Sequence, residues 1–421
     1  MGMRESFDQQ IRSCRERARA LLKATDAQIE HGLELHRQSF VCDLFAFAPS
    51  SHTRAGVERY NRVINEGAGA EEAIEAWEDS KIVGAAMDPE ARAACAAGLD
   101  AAGVDCLVST VGVGPEMRRG LRNLARHTCL SDHLEGLLRK QVTAAGVRRA
   151  WEKGERSIVW SANSTPALGP YENGYDMLRW LETYALFGVR MMHLTYNRRN
   201  WLGDGCAEET DAGLSAFGRE VVAKLNDVGV IVDTPHSGRQ TTLDACRVSR
   251  APVLSSHALC EGVHKNSRSK SDEEIKAIAE TGGVLGIVVL PSLLTGDGSA
   301  TINTLLDHLD YAMRLVGPDH VMIGSDHTFS LPLPPGLEFK PEPKERKKWW
   351  AMWRPGDLGG DPNQEASTGS LAWTNWPLFT AGLVARGHSD EAIRKVIGAN
   401  FLRVLAAVQS AAAPAWRAAE A

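Results

Sequence analysis

Four polar side chains stand where short apolar runs give out: His236 in GVIVDTPHSG, His257 in PVLSSHALC, Asp326 in HVMIGSDHTF and Tyr196 in VRMMHLTYN. Neutral imidazole and carboxylate are ligands that suit Zn²⁺ and similar ions, so two histidines and an acid brought to one place predict a metal site. The acid is also a candidate for proton transfer, and the phenol for donating to a developing oxyanion. Any one of these histidines alone is better explained as a satisfied structural residue; their joint placement at strand ends reverses that and argues for a site. No GxGxxG or GxxxxGK[ST] follows the first apolar run, which argues against a nucleotide-phosphate cradle.

The elements that must position these groups follow from the hydrophobic pattern. Runs rich in β-branched residues occur at 40–46, 104–110, 157–161, 189–196, 229–234, 252–256, 283–290 and 320–325, separated by stretches of helical period such as YDMLRWLETYALF. Buried strands alternating with helices imply right-handed crossovers and a parallel sheet, and eight such units predict an α/β fold, a closed (β/α)8 TIM barrel. In such a barrel the C-terminal strand ends converge on one mouth, where the four groups would meet. Residues 1–39 are expected to form an N-terminal helical segment and 40–421 the barrel, with a Pro- and Trp-rich insertion at 327–368. Helical stretches at 373–387, 389–397 and 399–409 follow. Trp349, Trp350 and Trp353 in the insertion predict either a lid over the mouth or a subunit contact.

Composition narrows the partners. Among 421 residues, 47 Lys and Arg against 53 Asp and Glu give a net charge of −6, without the basic stripe that nucleic acid requires. No run approaches the roughly 18 apolar residues of a membrane span, and the charged N-terminus lacks the apolar core of a secretion signal, so a cytoplasmic protein is expected. The eight scattered cysteines predict reduced, structural thiols. Strand alternation would turn Cys42 away from the barrel interior if Asp43 points inward.

The segments LTYNRRNWLGDGCAEETDAGLSAFGREVVAKLNDVGVIVDTPHSG (194–238), SSHALCEGVHKNSRSKSDEEI (255–275), VMIGSD (321–326) and WTNWPLFTAGLVARGHSDEAIRKVIGANFLRVL (373–405) resemble the renal or membrane dipeptidases, metallopeptidase family M19. The resemblance implies an amidohydrolase-type barrel, a zinc centre and a homodimer. His236 and His257 match the two histidines of the family's second metal, Asp326 the strand-eight carboxylate that handles a proton, and Arg268 the arginine that holds the substrate carboxylate.

The departures lie elsewhere. The family's first strand ends in a DxHxD segment whose His and last Asp bind the first metal, but this chain has Asp43-Leu44-Phe45-Ala46-Phe47. Phenylalanine coordinates no cation. Where the family's bridging Glu is expected the chain has Ala162 or Asn163, and Tyr196 replaces a substrate-contacting His. The expectation is a dipeptidase-like hydrolase with a reduced, mononuclear zinc site on His236 and His257. It would act on a small amide with a free carboxylate, with Asp326 and Tyr196 catalytic and Arg268, Phe45, Phe47 and Asn163 lining the substrate. Two alternatives stay open: a metal-free tailoring enzyme of isomerase or lyase type, and a noncatalytic binding protein on the same barrel.

Overall fold

Eight parallel strands follow one another around the molecule in the computed structural model, each hydrogen-bonded to the next in sequence apart from two short extras. Residues 3–112, 117–134, 136–165, 174–334, 336–341, 352–354 and 369–417 are described. The strands are β1 (Cys42–Ala46), β2 (Cys106–Thr110), β3 (Arg139–Lys140), β4 (Ser157–Ala162), β5 (Val189–His193), β6 (Ile231–Asp233), β7 (Val253–Cys260), β8 (Ser269–Lys270), β9 (Val284–Ile287) and β10 (Val321–Ile323). The two-residue strands β3 and β8 lie beside β4 and β7, off the main path. After β10 the Asp326 N–H donates to the Phe45 carbonyl at 2.8 Å, which ties the last strand's end to the first. All eight runs expected from the sequence are strands, and the fold is the expected (β/α)8 barrel.

Two apolar layers hold it. Cys42, Leu44, Val108, Val159, Met191, Ile231, Leu254, Val284 and Met322, contributed by all eight main strands, share one buried cluster with Phe401, Leu405 and Val408 of the helix Asn400–Ala411. That helix fills one end of the barrel, so ligand space is left at the other, where the strands end. A second cluster joins the outer strand faces to the surrounding helices. The N-terminal region forms two helices, α1 (Met3–Leu21) and α2 (Asp26–Gln38). The second begins with a capping box in which Thr25 and Gln28 satisfy each other's backbone N–H.

The expected direction of Cys42 is reversed. Cys42 belongs to the barrel interior, and Asp43 faces the helical layer, where its carboxylate accepts from the Trp373 indole at 2.8 Å and from the Ser325 hydroxyl at 2.5 Å. Strict alternation would then turn Phe45 outward too, but the β1–β2 register shifts between Asp43 and Ala46. One irregularity of this kind re-aims the side chains beyond it, and Phe45 points inward.

The β1–β2 crossover carries three helices, α3 (Arg54–Asn65), α4 (Ala70–Met87) and α5 (Pro89–Ala102). The last starts on an Asp88 cap with Pro89 in its first turn and stops at Gly103, whose φ of 59° suits glycine. Beyond β2, α6 (Met117–His133) packs against α4. α4 and α6 wall one side of the barrel mouth. Trp349 and Trp350 lie outside the described residues; Trp353 is half-buried, its ring 5.8 Å from the Arg268 guanidinium.

Candidate active site and metal centre

His236 and His257 meet at the mouth, their Nε2 atoms 3.1 Å apart. The partners of the other ring nitrogens set the tautomers. His236 Nδ1 lies 2.6 Å from Asn197 Oδ1, an acceptor, and therefore carries the proton. The Ser256 hydroxyl donates to Asp233 at 2.5 Å and so accepts from His257 Nδ1 at 2.8 Å. Both Nε2 atoms are thus lone pairs facing each other, an arrangement that repels unless a proton or a cation lies between them. Burial, aided by the Arg268 charge, drives both imidazoles well below their ordinary pKa and disfavours the proton. This donor set fits a metal ion, and holding each imidazole by its far nitrogen is how metal-binding histidines are usually oriented.

Beneath this pair lie two residues that sequence reasoning missed. His193, Asp233 and His257 offer ligand atoms all within 4.8 Å of one another, and all three are fully buried. His193 Nε2 is 3.1 Å from Asp233 Oδ2 without hydrogen-bond alignment, and both ring nitrogens lack a partner among the described residues. The available signal was the strand boundary. The sequence pattern carries β5 through Tyr196, whereas the strand ends at His193, and β6 ends at Asp233. Beyond His193, Asn197 adopts a φ of 58°.

Phe45 stacks on His257 with ring centroids 4.0 Å apart and lies 5.2 Å from the His193 ring. At 2% exposure it occupies the site as apolar bulk, while Phe47, 37% exposed, turns its ring edge-on to Phe45 and faces a cavity. Tyr196 stacks on His236 at 4.1 Å. Burial, with the nearby Asp326 charge, raises its phenol, which therefore stays protonated. Asn163 is half-buried on the wall of the same cavity as Tyr196.

Arg268 is 1% exposed. The extension of β7 and its pairing with β8 place it under the site. Its Nε donates to the Pro235 carbonyl at 3.0 Å and its Nη2 to the His257 carbonyl at 2.8 Å. Nη1 has no partner among the described residues. Asp326 sits at the end of β10 with a φ of 59°, a costly conformation for a non-glycine residue that recurs at functional sites. Burial pushes its carboxyl up to about 7; Arg268 opposes the shift and Asp43 adds to it.

Such a barrel, with histidines, an acid and an arginine at its C-terminal mouth, defines the amidohydrolase class of fold. Residues 116–340 match the family model described as membrane dipeptidase, peptidase family M19, and the chain belongs to this family. It is 28% identical over 273 residues to dipeptidase tcpJ of Claviceps purpurea (strain 20.1), covering 64% of this chain. The aligned part spans 55% of the length of that curated relative. An amidohydrolase structure from Pseudomonas aeruginosa superposes with a TM-score of 0.65 at 26% identity, covering 90% of this chain and 98% of the other. The probable dipeptidase PvdM from the same organism shares the fold, with a TM-score of 0.66 at 22% identity and coverage of 92% and 99%. The family match begins beyond β2, so the strand that bears Phe45, and Phe47 just after it, lie outside it.

Proposed function

We propose that this protein is a dipeptidase-like hydrolase that cleaves a small amide bearing a free carboxylate, using a reduced zinc site held by His236 and His257. The observation that carries this reading is the pair of facing Nε2 lone pairs. When bound there, the ion supplies Lewis acidity and lowers the pKa of water. Phe45 beside His257 takes up space that a second ion would need, which supports one ion.

The chain's own groups have separable tasks. Arg268, pinned by two backbone carbonyls, directs Nη1 at the substrate carboxylate. Tyr196 holds its phenolic proton and donates it as a hydrogen bond to the carbonyl oxygen as negative charge develops. Asp326, at about 7, is poised to take a proton from the attacking water and return it to the leaving amine. Asn197 fixes the His236 ring. We further propose that the protein acts as a homodimer.

Metal content and turnover test the reading together. Purified protein loaded with zinc should hold about one equivalent and hydrolyse members of a dipeptide and N-acyl amino acid panel, with activity lost in chelator and restored by zinc. Less than about a tenth of an equivalent, with chelator-insensitive turnover, would transfer the assignment to a metal-free enzyme that uses Asp326 and Arg268 alone.

A further inference from the structure

A cavity of about 630 Å³ opens beside the imidazole pair, on the side of the mouth walled by α4 and α6. Tyr196 is common to both spaces, since it lines the cavity and stacks on His236. The volume lies in the range of pockets that enclose drug-sized ligands. Much of the wall is apolar, including Phe47, Ile82, Val111 and Leu130.

One charge in this wall is placed for a ligand. Lys81 projects from α4 with its Nζ 4.6 Å from the Trp77 ring centroid and 5.7 Å from that of Phe47. Glu78 lines the same cavity, yet Lys81 forms no ion pair with a carboxylate among the described residues. Arg119, Arg198 and Arg199 also line it, the last two beside Glu208 and Asp204 respectively. His127, also in the wall, is 6% exposed with Nδ1 unpartnered among the described residues. A half-buried ammonium beside aromatic rings favours an anion that brings hydrogen-bond acceptors into the apolar wall.

We propose that this cavity is the specificity pocket of the site and takes a large, mostly apolar substituent ending in a carboxylate that Lys81 receives. Resting on the hydrolase reading above, this makes the preferred substrate a dianion, with one carboxylate at Arg268 and the other at Lys81, across the amide.

Three probes of graded size test it by calorimetry on the full chain: acetylglycine, benzoylglycine and 4-carboxybenzoylglycine. Glycine release is followed in parallel by chromatography. The dianionic probe should bind roughly tenfold or more tightly than benzoylglycine, and benzoylglycine more tightly than acetylglycine. Lys81→Met, which keeps the apolar stem, should abolish the dianion's advantage and leave benzoylglycine binding and the melting temperature unchanged; Lys81→Ala should do the same. Equal binding of benzoylglycine and 4-carboxybenzoylglycine, or an equal loss for both in Lys81→Met, would overturn the proposal. Discriminating binding without glycine release from any probe would sink the hydrolase reading and leave the pocket standing; release without discrimination would do the reverse.

Discussion

Asp326 and Arg268 differ in how they bear on the chemistry. Asp326 is raised to about 7 by burial, and its ionised form is the proton acceptor. We therefore expect kcat/KM to climb as pH rises through about 7. In Asp326→Asn that limb should vanish, with the remaining rate reduced about 100-fold or more. A pH profile unchanged in shape would remove Asp326 from the proton path. Arg268 spends Nε and Nη2 on the carbonyls of Pro235 and His257. A lysine cannot hold both carbonyls and still face the substrate, so Arg268→Lys should fail to rescue Arg268→Ala. Both variants should raise KM by roughly tenfold or more, with a smaller change in kcat. Steady-state kinetics that show KM unaltered would place the substrate carboxylate elsewhere.

Among the elements, α2 approaches the helix Trp376–Ala385 closely. A Cβ at Gly32 would stand 2.3 Å from the Ala381 Cα, an approach that a rotamer change cannot relieve because backbone is in the way. Gly32→Ala should therefore destabilise the fold by about 1–3 kcal/mol, although alanine is the better helix former. Thermal or denaturant unfolding would measure it, and an unchanged midpoint would show that the two helices can part without cost. Strand β1 teaches a related lesson. A two-residue period predicts opposite sides for Asp43 and Cys42, which is observed, yet it cannot say which side is the interior. The register shift before Ala46 then brings Phe45 onto His257.

Across the whole molecule, burial sets the response to acid. Among the described residues His36, His52, His127, His308 and His327 are lowered to about 4, with burial the largest cause in each. As pH falls below the ordinary histidine value near 6.5, the unfolded chain binds these protons first, so stability is lost progressively down to about 4. Asp43, Asp105 and Asp326, raised to between about 6 and about 7, act in the opposite sense. The folded state takes up their protons first, so their contribution weakens the fold as pH climbs from about 4. The histidines outnumber the acids, and the melting temperature should fall by several degrees between pH 7 and pH 5. Melts that stay level or rise over that interval would contradict this balance.

What the sequence determined by itself was what repeats along the chain. Eight β-branched runs separated by helical periods specified the barrel, because strands buried on both faces must be apolar throughout. The motifs around His236, His257 and Asp326 marked the mouth, because side chains at strand ends converge there, and Arg268 was marked by the family resemblance alone. Tertiary structure alone decided the contents of the site. His193 and Asp233 lie inside apolar runs, and only the true strand ends bring them beneath His257. Arg268 lies in a polar, charged stretch of sequence, and the pairing of β7 with β8 is what buries it. The cavity beside Tyr196 depends on α4 and α6 meeting across more than thirty residues of chain, a contact that no local period encodes.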